Sequence, residues 1–417
     1  KRIAQKRINQ KISDLSPDKK RFFSKYTARN IYDLFRNLKL TFDMGVLQRQ
    51  GGVVMSNPRM AFSKSGLDLY VNSFKTLTEA GAAEIEAIME RDPMYAEAIA
   101  AGLRIIKDGD KLTDREEILV NSILDKIPAV GTTTKAFGRS QIATTNFLRF
   151  MAYKNYVEGQ TKGKKELTIE ELKSTAKAVN ILTGYGTLGD RRTQIYSVLN
   201  WILTSPRFTA SRLQAPFLIF DKDVMQNKAL QKRVIEDSMF FLSTRIGFML
   251  LVAEALPNAF IELEGEDKDK WTYGRLVVDL GNGYSRIYDP WAGIHSTIRL
   301  FNQIITDVEK QVEKGKKPSL TIKKLLNQIV RFGEQRKHPA LTSFDAFQGQ
   351  DFLGNQYEGG VIEGVARSIA PIILENIIEG QQIDTDYFDL ISATISDFVG
   401  VGSFVVKNED LPWHTNL

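Results

Sequence analysis

The strongest chemical signal in this sequence is a stretch of 30 residues, 191–220, that holds four arginines and no acidic residue. Aromatic side chains alternate with the arginines, which are Arg191, Arg192, Arg207 and Arg212. A guanidinium group donates paired hydrogen bonds to phosphate or carboxylate oxygens, so the stretch predicts contact with nucleic acid or another anionic partner. Arginines that brace a helical bundle through backbone carbonyls would give the same pattern, and we favour this second interpretation.

The first 39 residues form a second basic region, with 12 Lys or Arg against three acidic residues. This arm has a charge of +9, so the other 378 residues sum to −3. Its apolar residues recur at helical spacing, which favours a solvated amphipathic helix. Its density of cations also suits contact with nucleic acid or anionic lipid. The arm residues predicted to make such contacts are Lys6, Arg7, Lys19, Lys20 and Arg21.

Catalytic, metal and cofactor chemistry has few candidate residues in this chain. There is no cysteine, which excludes thiol catalysis, disulfides and Cys-ligated zinc, and the three histidines lie on separate segments. G-Y-G-T-L-G at 184–189 has the glycine spacing of a dinucleotide-binding turn, but a predicted helix precedes it and no acid occurs between Asp190 and Asp221. We expect a glycine-lined turn between helices there, with no catalytic residue, cofactor or metal.

The elements that must position these residues are mostly helical. Apolar stripes at a spacing of about 3.6 residues predict a mostly α, multi-helix, bundle-like fold, and Thr168 with Glu171 forms a capping box. One helix is expected over residues 224–255. Alternating residues around G-N-G at 281–283 predict one small β-hairpin near residues 275–288.

Five regions follow from these patterns. They are a basic helical arm (1–50), a helical region (51–160), a helical region with the arginine and aromatic stretch (161–260), a region with the hairpin, helices and a Gly- and aromatic-rich loop (261–360), and C-terminal helices with a tail (361–417).

Residues 246–253 form an apolar run between Arg245 and Glu254. We favour a buried core helix; the alternative is conditional insertion into a membrane together with neighbouring copies. The longest stretch without a charged residue is 14 residues, 193–206, and about 18 are needed to span a bilayer. No conventional membrane-spanning helix is therefore predicted.

Six phrases, in order along the chain, resemble the shared C-terminal module of very large tailed-phage virion proteins, which also occurs in giant polyvalent proteins of mobile elements. Three are R-N-L-K-L-T-F-D-M-G-V-L-Q-R-Q-G at 36–51, N-I-L-T-G-Y-G at 180–186, and S-P-R-F with S-R at 205–212. Tyr185 stands where the second phrase usually has arginine. The others are the hairpin, with Ala292-Gly293 where two glycines are common, R-F with R-K and P at 331–339, and G-Q-D-F-L-G at 349–354.

The resemblance implies an internal virion protein, a cargo or ejection protein packaged in the bacteriophage capsid and delivered into the host with the genome. It assigns no catalytic residue, so this region is expected to be non-enzymatic, although such modules often adjoin enzymatic domains. The implied partners are other virion proteins of the portal or tail region, phage DNA, the host inner membrane after ejection, and further copies of the chain. The implied location is the virion interior, then the host cell envelope or cytoplasm. A chain that starts at Lys1 agrees with a piece of a longer polypeptide.

Two other functions stay open. A phage enzyme that processes nucleic acid would use the arginines between Arg191 and Arg212 as its phosphate-binding face. A docking module would hold a larger virion enzyme, such as an RNA polymerase, inside the capsid.

Overall fold

The computed structural model describes residues 46–106, 130–161, 166–187, 206–256, 258–261, 274–281, 283–291, 295, 401–408 and 411. This part of the chain is 70% helical and contains a small four-stranded antiparallel sheet. The predicted mostly α fold with one small β element is confirmed. The basic arm (1–39), residues 107–129 and 188–205, the phrases at 331–354 and the predicted C-terminal helices lie outside the described residues.

Five helices occupy the first described segment, and side-chain caps begin three of them. Asn57, Ser63 and Thr78 each accept a hydrogen bond from a backbone N–H of the first turn that follows, which satisfies a donor that the helix itself cannot. The helices are α1 (Val46–Met55), α2 (Pro58–Ala61), α3 (Lys64–Lys75), α4 (Glu79–Arg91) and α5 (Met94–Ala100).

The longest helix, α6 (Val130–Thr161), forms the centre against which the other helices pack. Its buried side chains include Phe147, Phe150 and Tyr153, each no more than 1% exposed. Burial of aromatic residues of this size makes the main favourable contribution to the packing of α1, α3, α4 and the helix Ile169–Leu182 against α6.

Helix α7 (Ile169–Leu182) begins and ends where the sequence predicts. The capping box is present in full, since the Thr168 hydroxyl accepts from the Glu171 N–H and the Glu171 carboxylate accepts from the Thr168 N–H. The chain leaves the helix through Gly184, whose φ of +90° lies in the left-handed region that glycine tolerates without strain.

The single helix expected over residues 224–255 is divided in two. Asn227 ends α9 (Lys222–Gln226), and its side chain then accepts from the Leu230 N–H at the start of α10 (Lys228–Ala255). The division follows from the amide side chain, which competes with the backbone for hydrogen bonds and so favours a cap over a helix interior. Helix α8 (Pro206–Gln214) and a 3-10 turn (Ala215–Phe220) precede this pair.

Helix α10 is buried along one stripe only. Met249 is 3% exposed, whereas Ile246, Leu250 and Leu251 are 44%, 56% and 73% exposed, so the favoured core interpretation of residues 246–253 holds for one face. By length and composition, α10 is the one helix among the described residues that could cross a bilayer, and 17% of its most apolar 18-residue window is buried. This differs from the expectation drawn from charge-free stretches, because a few charged residues interrupt the apolar helix.

The sheet contains the predicted hairpin and two further strands. Strands β1 (Ala259–Ile261), β2 (Leu276–Gly281), β3 (Tyr284–Asp289) and β4 (Gly402–Lys407) are antiparallel and lie in that order. Strand β1 was missed because three residues are too few to show alternation, and β4 because it lies in the region expected to be a polar tail. One face of the sheet joins the main helical core, and the other packs in a smaller cluster around Val277 and Ile287.

Candidate functional site

Three segments that are distant in sequence meet at one place in the fold. They are the first half of α1, the turn after α7, and α8. Arg212 of α8 donates to the carbonyl of Arg49, which lies 163 residues earlier in the chain. The Gly186 N–H donates to the Arg207 carbonyl at 3.1 Å. These segments contain the described parts of the first three phrases on which the phage resemblance depends.

Tyr185 is the centre of this site. Its side chain is buried, and three guanidinium carbons face its ring: Arg207 at 4.1 Å, Arg149 at 5.2 Å and Arg104 at 5.8 Å from the ring centroid. A cation within about 6 Å of an aromatic centroid is attracted by the electrons of the ring face. The ring therefore allows three positive charges to lie close together. We call these four residues the arginine–tyrosine cluster.

Two side-chain amides of neighbouring helices hold the segment that carries Arg104. Asn180 of α7 donates to the Gly102 carbonyl at 3.0 Å and accepts from the Arg104 N–H at 2.9 Å. Asn146 of α6 bridges the N–H and carbonyl of Ile106 in the same way, at 2.9 and 2.8 Å. Paired hydrogen bonds of this kind fix a segment that has no regular secondary structure and so position Arg104 over the ring.

Arg212 lies beside the cluster and braces the helices. Its side chain is fully buried, its guanidinium carbon lies 4.5 Å from the centroid of the Phe208 ring, and it donates to the Arg49 carbonyl in the first half of α1. This is the bracing arrangement that we favoured for the arginine stretch. In this conformation Arg212 is not at the surface, whereas Arg49, Arg104 and Arg207 are partly exposed.

Gly186 allows close packing between helices. A Cβ on Gly186 would lie 2.3 Å from the backbone nitrogen of Ser211, so only glycine lets α8 approach this turn. A helix, α7, precedes the turn, as predicted, where a dinucleotide-binding site requires a parallel strand. Residues 188–205, which follow the turn, lie outside the described residues.

We expect Gly186→Ala to lower the free energy of unfolding by about 2–3 kcal/mol, because the new methyl group meets backbone atoms that cannot rotate away. Gly159→Ala is the matched control, since its Cβ would have nothing within 4 Å on the exposed side of α6. The control should raise stability by up to about 1 kcal/mol through helix propensity. Urea denaturation followed by circular dichroism measures both. Equal effects of the two substitutions would contradict the close-packing role.

The cluster is suited to binding an anion. Arginine stays protonated at physiological pH, and its planar group forms paired hydrogen bonds with phosphate. Arg49, Arg104 and Arg207 are each partly exposed, and the guanidiniums of Arg104 and Arg207 face the same ring. Among the described residues there is no group of three or more His, Asp or Glu that could hold a metal ion.

The structure places two of the nine predicted contact residues. Arg207 lies in the cluster and Arg212 beside it, whereas Lys6, Arg7, Lys19, Lys20, Arg21, Arg191 and Arg192 lie outside the described residues. Contact of these residues with an anionic partner stays a prediction. Sequence analysis missed Arg104 and Arg149 as members of the site, because each stands alone in its own segment.

No family model, curated protein or solved structure matches this chain. The functional argument therefore depends on the geometry of the chain and on the resemblance of its phrases.

A second buried polar network joins α10 to α2 and α6. Asp237 is fully buried and accepts hydrogen bonds from Asn57 and from the Tyr156 hydroxyl, and Arg233 lies 3.0 Å from it. Burial raises the pKa of Asp237 to about 6, although Arg233 and the hydrogen bonds oppose this shift. Burial, with the nearby Asp237 carboxylate, also raises the pKa of Tyr156 well above its usual value.

Asp237 gives stability a pH dependence whose direction can be stated. Because its pKa is about 6 in the folded chain and 3.8 is the ordinary value of an aspartate, the folded state holds an extra proton between these values. Its contribution to stability is therefore full below about pH 4, falls by about 3 kcal/mol as the pH rises to about 6, and is constant above that. We expect Asp237→Asn to remove this fall, so that the difference in unfolding free energy between variant and wild type changes between pH 4 and pH 6. A difference that is constant with pH would contradict the raised pKa.

Proposed function

We propose that this chain is an internal virion protein of a tailed phage, packaged in the capsid and delivered into the host with the genome. The observation that supports this proposal most is that the described parts of three phrases that carry the phage resemblance, at 36–51, 180–186 and 205–212, contact one another around the arginine–tyrosine cluster. Phrases that matched by chance would have no reason to contact one another across more than a hundred residues. Their contact supports the interpretation that they specify one packing unit of the phage module.

The cluster suits a protein stored beside packaged DNA. Its partly exposed guanidiniums can neutralise phosphates, and the +9 arm would add a larger number of such contacts. The absence of cysteine also suits passage through a narrow tail, because no disulfide has to be broken before helices unfold and form again. This region acts without catalytic residues, and any chemistry belongs to an adjacent domain of a longer polypeptide.

The partners proposed for this function are other virion proteins of the portal or tail region, phage DNA, the host inner membrane after ejection, and further copies of the chain. The protein would lie in the virion interior first and in the host cell envelope or cytoplasm afterwards.

Protease treatment of purified phage particles tests this proposal. A protein stored inside the head should stay intact when protease is added to whole particles and should be digested after the particles are opened. A chain that is missing from purified particles, or that is digested in whole ones, would contradict storage in the interior.

A docking module for a larger virion enzyme is a second candidate, and a specific stripe on α3 favours it. Leu67, Val71 and Phe74 lie at helical spacing and are 54%, 63% and 51% exposed. An apolar stripe of this kind is typical of a helix that packs on a protein partner. This candidate predicts tight binding to the adjacent enzyme domain and negligible affinity for free DNA or for lipid vesicles.

A further inference from the structure

Helix α10 is mostly apolar and carries a single charge over more than four turns. Between Asp237 and Glu254 the only charged residue is Arg245, and Arg245 is buried. A helix that is apolar all round is normally covered on all sides, either in the core of a large protein or in a membrane.

Within the described residues, the fold covers one side of this helix and leaves the other exposed. The buried stripe is Leu230, Val234, Asp237, Phe241, Arg245 and Met249. Six further large apolar residues between the two acids are 40–73% exposed, and we call them the outer face: Met239, Phe240, Leu242, Ile246, Leu250 and Leu251. Phe248 and Val252 are partly buried against the core, and Ser243 and Thr244 are exposed beside the outer face. Monomeric proteins in water rarely leave a continuous apolar surface of this length open.

Two of the three hydroxyl side chains between residues 238 and 253 donate hydrogen bonds within the helix itself. The hydroxyls of Ser238 and Thr244 donate to the carbonyls of Val234 and Phe240, each at 2.8 Å. The Arg245 guanidinium lies 5.3 Å from the centroid of the Phe241 ring, on the buried side. Hydroxyls bonded to their own helix and charges turned toward the protein are what a lipid environment requires.

The composition of the outer face distinguishes lipid from a protein partner. A helix that pairs with another helix in water carries charged residues along both edges of its apolar stripe, and protein interfaces have a polar rim. The exposed arc of α10 has no charged residue from 238 to 253. Exposed lysines stand just before it, at Lys228 and Lys232, where they could reach anionic headgroups.

We propose that the outer face of α10 lies in the acyl-chain layer of an anionic membrane, while the rest of the described fold stays on the aqueous side. Asp237 and Arg245 keep their contacts with α2, α3 and α6 in this arrangement, because they lie on the opposite, buried stripe. The inference rests on the proposed function only for the identity of the membrane, which would be the host inner membrane.

Flotation of the full 417-residue chain with vesicles tests the proposal directly. The vesicles contain phosphatidylethanolamine and phosphatidylglycerol in a ratio of about 3:1, similar to an anionic bilayer. The test variant is Leu250→Gln with Leu251→Gln, and the matched control is Leu67→Gln with Val71→Gln, which removes two equally exposed aliphatic residues from α3. We expect the wild type and the control to float, and the test variant to bind at least about tenfold more weakly.

A second measurement does not depend on the folding of that double variant. Because the chain has no cysteine, Leu251→Cys places a single thiol on the outer face, and Val71→Cys places one on α3. An environment-sensitive fluorophore on Leu251→Cys should shift to the blue when vesicles are added, and the same label on Val71→Cys should not.

Three outcomes would overturn the proposal. The first is that the wild type does not float with the vesicles. The second is that the fluorophores on Leu251→Cys and Val71→Cys respond equally to vesicles. The third is that sedimentation shows a dimer that the Leu250 and Leu251 substitutions disrupt while vesicle binding is unchanged. The last outcome would assign the outer face to a second copy of the chain. If the chain binds vesicles but is absent from phage particles, the membrane proposal stands and the proposed virion function fails. If the chain is present in phage particles but does not bind vesicles, the virion function stands and the membrane proposal fails.

Discussion

Tyr185→Ala should lower the free energy of unfolding by about 4 kcal/mol. Truncation of a buried aromatic side chain costs about 3–5 kcal/mol, and here it also removes the ring that faces three guanidiniums. Arg149, which is fully buried, would lose the cation–π contact that offsets its transfer from water. Urea denaturation of the full chain, followed by circular dichroism, measures the loss.

Two controls isolate the role of the ring. Tyr185→Phe keeps an aromatic face, so it should cost no more than about 1 kcal/mol. Phe220→Ala removes an aromatic ring that is 68% exposed, and it should change stability by less than about 0.5 kcal/mol. If Tyr185→Ala were no more destabilising than Phe220→Ala, the cluster would not be the point that holds the three phrases together.

Reversal of five charges in the arm should produce the largest change in DNA binding. Replacement of Lys6, Arg7, Lys19, Lys20 and Arg21 by glutamate removes up to five phosphate contacts. Each lost contact makes the slope of log K against log salt shallower by roughly 0.9, so the slope should change by as much as about 4.5. Fluorescence anisotropy with a double-stranded DNA probe over a series of salt concentrations gives this slope.

The matched control reverses five exposed lysines of the described fold, Lys64, Lys75, Lys222, Lys228 and Lys232. This variant has the same net charge as the arm variant, and its slope should stay close to that of the wild type. An arm variant with an unchanged slope would show that the arm packs on protein instead of contacting phosphates.

Local signals in the sequence were sufficient for both ends of α7. The Thr168 capping box and Gly184 begin and end α7 as predicted, because caps and left-handed turns depend on a few adjacent residues. The break at Asn227 was missed, since an amide within an apolar helical pattern becomes a cap only when tertiary contacts favour it. In this fold Asn227 donates to Gln160 of α6 at 2.7 Å, a contact between residues 67 positions apart.

The arginine–tyrosine cluster could be predicted only in part. The sequence indicated Arg207 and Arg212 as site residues, with either anion contact or bracing of the helices as their role. The buried Arg212 braces the helices. It gave no sign that Arg104 and Arg149 share one aromatic ring with Arg207, because that arrangement arises from the packing of α6, α7 and α8. The burial of residues 246–253 could also be predicted only in part. Composition shows that a helix is apolar, but it does not show how many faces of the helix the fold covers.

Quantitative mass spectrometry of purified phage particles, before and after genome ejection, tests the central claim most directly. The account predicts that peptides of this chain are present in full particles and are lost from emptied ones, in step with the DNA. Peptides that remain in emptied particles in full amount, or that are absent from both, would contradict a protein delivered with the genome. Absence from both would make an intracellular enzyme of phage nucleic-acid processing the function to pursue.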